Sequence, residues 1–392
     1  MWWPITASMK HMNNSVDQQI ALFGQSGSGK TALLCSFYGA ARDSTQSEGQ
    51  LFELSAKDDR HTKLMKMYLG MKEDSLAPPQ NRFESHKTVF SLKQKNIPIK
   101  DAAKSDQVKL TWHDYPGEWF EGGAVTDSER QDKVKTFRNL LGSDVALFLV
   151  DGQKLHDYAN EEERYLSYLF DGFIENLNQI KDAILEDGKQ LQQFPRIWVI
   201  ALSKADLWPD LQVKDFENLL NKKAGNEIIA LRSKLLEFID NDEAFSFGKD
   251  FLLLSSAKFT PGHIDISQRK GVDVLLPLAC VLPMQRHLWW QELKVLPINL
   301  ADKLLGNEIA QVGLKIVSKV LKNKVSGTNN KAMAALVFAE LVRDMVDQPT
   351  ELLQKAREEA VGRREFLKAI TAEFTRKLNQ AEADQVLVRD FA

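Results

Sequence analysis

Residues 24–31 read Gly24-Gln25-Ser26-Gly27-Ser28-Gly29-Lys30-Thr31, a G-x-x-x-x-G-K-[ST] loop built for phosphate chemistry. Glycines let successive backbone N–H groups of Ser26 to Ala32 converge on the β- and γ-phosphates of a nucleotide. Lys30 adds a mobile point charge, and the Thr31 hydroxyl is a ligand for Mg²⁺. A helix starting at the loop adds the positive end of its dipole. The pattern implies a nucleoside triphosphate but does not say which one.

Three further strings carry compatible chemistry. Asp114-Tyr115-Pro116-Gly117 offers a carboxylate for the Mg²⁺ shell and a Gly117 N–H for the γ-phosphate. Ser203-Lys204-Ala205-Asp206 fits [NST]-K-x-D. There the Asp206 carboxylate can accept two hydrogen bonds, from N1 and N2 of guanine, while the Lys204 stem packs on the base plane. Adenine offers no such donor pair, and a carboxylate left unpaired costs several kcal/mol. Ser256-Ala257-Lys258 fits an SAK element whose backbone N–H meets guanine O6. Taken singly, Asp114 also reads as a turn residue, Asp206 as a helix cap and Lys258 as a solvated charge. Their order and their shared placement at strand ends argue for one nucleotide site.

The elements that must hold these strings follow from periodicity. Gln19–Phe23 reads as a buried strand entering the phosphate loop, and Thr31–Tyr38 as the helix leaving it. Lys87–Lys93 and Val108–His113 read as a β-hairpin. Val145–Val150, Arg196–Leu202 and Phe251–Ser255 are short apolar runs of the kind found in central parallel strands. Helices are expected over 128–141, 161–191 and 211–240. This strand–helix alternation argues an α/β fold, a mostly parallel sheet wrapped on both faces.

The set from Gly24 to Lys258 resembles the G-domain of the translation-factor-related (TRAFAC) class of GTPases. That resemblance implies a Ras-like doubly wound sheet with GTP or GDP and Mg²⁺ across the carboxyl ends of the strands. Asp114-Tyr-Pro-Gly-Glu-Trp119 is similar to the switch element of the bacterial, stress-associated YcjX-like GTPases. The plan also resembles large bacterial GTPases of phage-defence and other conflict gene clusters. Two departures stand out. First, 83 positions separate Thr31 from Asp114, which puts an insertion (about 41–86, with a helix over 58–70) in the first switch region. Thr45 and Thr88 both remain candidates for that region's Mg²⁺-binding threonine. Second, Glu118 stands where Ras-like enzymes place a water-orienting glutamine. A carboxylate there can orient or deprotonate water but also repels the γ-phosphate, so turnover is expected to be slow without a partner. Lys30 and Glu118 are therefore the catalytic candidates.

Bulk properties bound the rest. Net charge of −3 over 392 residues gives no general pull toward nucleic acid or an anionic membrane. Two isolated cysteines, Cys35 and Cys280, fit a reducing cytoplasm. No apolar run is long enough to span a bilayer, and Val272–Met284 is broken by Pro277 and Pro283. Seven histidines show no metal spacing, and His113 reads as a strand residue. Residues 1–17 read as a tail, 18–285 as the nucleotide-binding domain and 286–392 as a separate C-terminal helical domain without strands.

The expected behaviour is a GTPase passing its nucleotide state to that helical region, or to a protein partner or second copy. A nucleotide-dependent interaction module without turnover and a dynamin-like membrane-remodelling GTPase are the alternatives. An ATPase requires the Ser203–Asp206 match to be accidental. Trp119 reads either as packing or as a contact shown in one nucleotide state. Trp289-Trp290 beside Arg286 reads as a hinge, and Lys315, Lys319, Lys322 and Lys324 as a solvated face.

Overall fold

In a computed structural model, the structure describes residues 16–45, 52–57, 59–79, 86–95, 106–121, 126–185, 188–191, 197–239, 245–292 and 363–389. Trp289, Trp290 and the lysines at 315–324 lie outside the described side chains. Ten strands and eight α-helices are described. The strands are β1 Val16–Phe23, β2 Phe52–Ala56, β3 His86–Gln94, β4 Asp106–Asp114, β5 Val145–Asp151, β6 Ile197–Ser203, β7 Asp250–Leu253, β8 Lys258–Thr260, β9 His263–Asp265 and β10 Leu387–Val388. The helices are α1 Lys30–Thr45, α2 Arg60–Glu73, α3 Asp127–Leu140, α4 Gly152–Asp157, α5 Glu162–Ile184, α6 Val213–Leu236, α7 Leu275–Glu292 and α8 Arg363–Ala383.

Eight strands form one sheet in the order β10-β7-β6-β5-β1-β4-β3-β2. The five from β7 to β4 run parallel, while β3, β2 and β10 pair antiparallel at the two edges. Alternation along the central strands sorts their side chains onto two faces. Ile20, Leu22, Val145, Leu147, Leu149, Ile197 and Val199 meet the helices α1, α7 and α8. Ala21, Phe23, Ala146, Phe148, Trp198 and Ile200 meet α3, α5 and α6. A strand whose every side chain is buried must be apolar at both parities, which is why these runs carry no polar alternation. β1 lies between β4 and β5, where the direction of sheet growth reverses, and the crevice at that point is the place such folds bind ligands.

The described residues of the expected insertion include a helix and a strand. The helix expected over 58–70 is α2, Arg60–Glu73, and β2 is a strand with no counterpart among the expected elements. Tyr68 of α2 packs its ring on Gly39 of α1, where a Cβ has no room, and its hydroxyl donates to Asp43 at 2.7 Å. The hydroxyl of Tyr38 meets Nδ1 of His61 at 2.8 Å. Three contacts thus fix α2 along α1.

The course of α7 through its prolines, the strand β10 and the core position of α8 differ from expectation. Pro277 and Pro283 do not interrupt 272–284: α7 runs through both, Pro277 falling in its first turn where an N–H has no partner anyway. Among the described residues no helix is long and apolar enough to cross a membrane. The strand β10 lies beyond 286 and pairs antiparallel with β7, and α8 places Ile370, Phe374 and Leu378 in the same core as β1. The ring of Phe374 packs against Phe52 of β2 at 5.5 Å between centroids. A two-residue strand gains nothing alone. It forms because Leu387 drops into that core beside Leu252.

Both cysteines are buried, and burial pushes each thiol up to about 12, with the Asp114 charge adding to the effect at Cys35. A thiol reagent at pH 8 is therefore expected to find no reactive cysteine in the folded chain and two after denaturation. Rapid labelling of the native chain would contradict this packing.

Candidate functional site

The phosphate loop follows β1 and feeds directly into α1, so its amides and the helix N-terminus face the same point. Gly27 and Gly29 have φ of 78° and 86°, a conformation that L side chains rarely adopt. The Lys30 ammonium donates to the carbonyls of Gly24 (2.7 Å) and Gln25 (3.0 Å), curling back over the loop. It also lies 5.1 Å from the ring centroid of Tyr115, a cation–π contact. Tyr115 in turn accepts the Gly24 N–H through its hydroxyl at 3.1 Å, and burial raises its pKa so that it stays a neutral phenol. The sequence string by itself gives Tyr115 no role. In the structure it ties the Asp114–Gly117 string to the phosphate loop.

Asp114 closes β4, and its Oδ2 accepts from the Thr31 hydroxyl at 3.3 Å. Two hard oxygen donors thus converge beside the phosphate loop, a donor set that suits Mg²⁺ completed by phosphate and water oxygens. Among the described residues no group of three or more His, Cys, Asp or Glu offers a metal cage elsewhere. The buried Ser28 hydroxyl has no hydrogen-bond partner among the described residues. The residues present therefore fit a Mg²⁺–triphosphate. Neither threonine candidate reaches this point. Thr88 is buried in β3 opposite Trp112, and Thr45 ends α1, roughly 22 Å of helix from Lys30. His113 is a buried strand residue; burial, then Lys87, lowers its pKa to about 4 and keeps it neutral.

Gly117 presses against the backbone of Ser26 and Gln25 closely enough that a Cβ has no space. It opens a 3₁₀ turn, Gly117–Glu121, which the helix α5 holds from beneath. Phe120 stacks on Phe173 at 4.7 Å, and the Asn176 side-chain amide donates to the Trp119 carbonyl at 3.1 Å. Trp119 is buried, in keeping with the packing alternative. Glu118 turns the other way and accepts from the Ser26 hydroxyl at 3.0 Å. Its other oxygen, Oε2, is buried with no partner among the described residues.

The base side is assembled from the ends of β5, β6 and β7. Lys204 sits at φ 52°, ψ 40°, and its ammonium pairs with the buried Asp151 at 2.9 Å. Asp151 also caps α4 by accepting the Gln153 N–H at 2.9 Å. Ser203 is buried and its hydroxyl donates to the Val150 carbonyl, so its role is to bind β6 to β5. Asp206 is held on both oxygens: Oδ1 accepts from the Ser255 hydroxyl at 2.7 Å, Oδ2 from the Phe259 N–H at 3.0 Å. Each oxygen keeps a second lone pair for a ligand. Ser256 bonds through its carbonyl to the Ser36 hydroxyl, Ala257 is buried, and Lys258 is exposed at the start of β8.

One cavity of about 370 Å³ joins the phosphate and base sides, a volume of small-ligand size. Of the expected residues, Ser26 to Ala32, Gly117, Lys204, Asp206 and Ser256 line it. Asp114 and Glu118 lie one contact behind it, through Thr31 and Ser26, while Ser203, Ala257 and Lys258 do not line it. Residues not anticipated also line it: Ala77, Pro78 and Pro79 from the insertion, then Tyr115, Gln153, Leu207 and Phe259.

Among the solved structures that this chain matches is one titled "Structure and function of the FeoB G-domain from Methanococcus jannaschii". It is 13% identical, covers 67% of this chain and 94% of that chain, and has a TM-score of 0.26. A comparison with curated proteins finds no match. A family model does match, over residues 18–244, and its span runs from β1 through the phosphate loop, Asp114–Gly117 and Asp206. By that match the chain belongs to the Double-GTPase 2 family, a family of GTPases.

Proposed function

We propose that the chain binds GTP with Mg²⁺, hydrolyses it to GDP and phosphate, and passes the nucleotide state to its C-terminal helices or to a partner. The observation that carries this is the single cavity in which the phosphate loop and the doubly held Asp206 carboxylate face one ligand. Ser28, Gly29 and Lys30 hold the phosphates, and Gly117 presents its N–H to the γ-phosphate. Thr31 and Asp114 would hold Mg²⁺, which when bound neutralises charge on the β- and γ-oxygens. Asp206 accepts guanine N1–H and N2–H, the Ala257 N–H meets O6, and the Lys204 stem, steadied by Asp151, covers the base. Catalysis is then positioning and electrostatics around an in-line attack of water on the γ-phosphate.

Glu118 is the proposed water-orienting group, with Ser26 holding its carboxyl beside the loop. Removing that carboxyl in Glu118→Ala is expected to slow single-turnover hydrolysis by about 10²-fold or more, with GDP affinity unchanged within about twofold. Unchanged hydrolysis would remove Glu118 from the mechanism. A carboxylate near the γ-phosphate also needs a compensating cation, which points to a partner that supplies one. The name Double-GTPase favours a second GTPase domain in that role. The packing of Phe374 of α8 against Phe52 of the insertion supports a route from the first switch to the C-terminal helices. The deciding experiment is phosphate release from GTP under single-turnover conditions with Mg²⁺. Release above the buffer rate supports the enzyme; none, with nucleotide bound, leaves an interaction module.

A further inference from the structure

The insertion supplies a wall of the ligand cavity that the phosphate-loop and base motifs do not foretell. After α2 the chain turns at Ser75, which has φ of 53°, and Ala77, Pro78 and Pro79 then line the cavity beside the phosphate loop and Phe259. A left-handed serine is costly and persists only where its surroundings hold it. Here the Ser75 hydroxyl accepts the backbone N–H of Ile264 at 3.1 Å, and the Leu76 N–H donates to the Gly70 carbonyl at 2.9 Å. Ile264 pairs across the β8–β9 hairpin with Phe259, whose own N–H holds Asp206. A continuous chain of contacts therefore links the base-reading carboxylate, the hairpin, Ser75 and the proline pair.

We propose that Ser75–Pro79 is a latched wall of the nucleotide site: Pro78 and Pro79 pack on the bound guanine nucleotide, and Ser75, as a positioning residue, fastens them to the hairpin. This rests on the guanine reading of the cavity. Two consecutive prolines have fixed φ and no N–H to satisfy, so they present a stiff apolar surface that loses little entropy on contact. A wall that is formed before the ligand arrives slows escape more than entry, because affinity differences within one site lie mostly in the dissociation rate.

Stopped-flow fluorescence with mant-GDP on the full chain tests this. The Pro78→Gly, Pro79→Gly double variant is expected to release mant-GDP about 10-fold faster or more, with association changed less than about twofold. Ser75→Ala, which removes the acceptor, is expected to raise the release rate in the same direction by a smaller factor. Ser75→Asn keeps an acceptor and tolerates the left-handed backbone, so it should restore the wild-type rate. Pro79 is exposed and Ser75 and Pro78 are half-buried, and unchanged melting temperatures would separate the effect from unfolding. Release rates within twofold of wild type in both the proline and the Ser75→Ala variants overturn the wall while leaving the guanine site standing. No mant-GDP binding by the wild type overturns both.

Discussion

Asp206→Asn is expected to convert the site from guanine to xanthine nucleotides. In the wild type both carboxylate oxygens accept, from Ser255 and Phe259 within the protein and, in the proposed complex, from guanine N1–H and N2–H. An amide keeps one acceptor and replaces the other with a donor. The Phe259 N–H can only donate, so the amide oxygen must take its side and the NH₂ must face the Ser255 hydroxyl. That hydroxyl can turn to accept, since it has the Ala257 carbonyl as an alternative acceptor for its own proton. The fold therefore tolerates the change, but the NH₂ now opposes the guanine amino group, donor against donor. One charge-assisted hydrogen bond becomes a donor–donor clash and the other loses its charge, which together cost about 3–5 kcal/mol, about 10²–10⁴-fold in GDP affinity. Xanthine carries a carbonyl where guanine has the amino group, so the same NH₂ finds an acceptor and XDP affinity rises. Competition of GDP and XDP for a fluorescent nucleotide reads both changes. Equal loss of both ligands would mean that Asp206 shapes the pocket without reading the base.

Gly117→Ala is expected to be nearly as damaging, for a steric reason. The new methyl group meets backbone atoms of Ser26 and Gln25, which cannot rotate aside. Neither partner is free to retreat. The phosphate loop is pinned by Lys30 and Tyr115, and the 3₁₀ turn is pinned to α5 through Phe120 and the Asn176 bond. Overpacking of this kind costs about 1–3 kcal/mol of stability. Whatever shift relieves it draws the Gly117 N–H away from the γ-phosphate position. Hydrolysis is therefore expected to fall about 10²-fold or more, and discrimination between GTP and GDP to shrink. A variant with wild-type turnover and melting temperature would show that the close approach is dispensable.

The parts of the site legible in the sequence are those in which neighbours in the chain do the work. The phosphate loop needs its glycines, lysine and threonine at fixed spacing because one turn of backbone must wrap one phosphate group, and the strands around it announce themselves by unbroken apolar runs. Tyr115, Asp151 and Phe259 were not legible as site residues. Each matters only through a partner far along the chain: Lys30, Lys204 and Asp206 respectively. The proline wall is a stronger case, since Pro78 and Pro79 look like an ordinary loop until α2 packs on α1 and Ser75 bonds to Ile264. The alternation in Phe52-Glu-Leu-Ser-Ala56 did signal β2, with Phe52 and Leu54 buried and Glu53 exposed, but it is short and lies inside a polar stretch. β10 had almost no signal, because its two residues are strand only by virtue of the edge they join. The helical region beyond 286 was expected as a separate unit. Its described end instead shares the core, because the apolar stripe Ile370, Phe374 and Leu378 needs a surface and the sheet face beside α7 provides it.

Base selection is the claim on which the rest stands, and calorimetric titration of the 392-residue chain with GDP and with ADP, under identical Mg²⁺ and salt, tests it most directly. The arrangement around Asp206 predicts binding of GDP at least about 100-fold tighter than ADP, since adenine leaves the carboxylate without its donor pair. Equal affinity for the two nucleotides would contradict it and leave a phosphate-binding loop with no reader of the base.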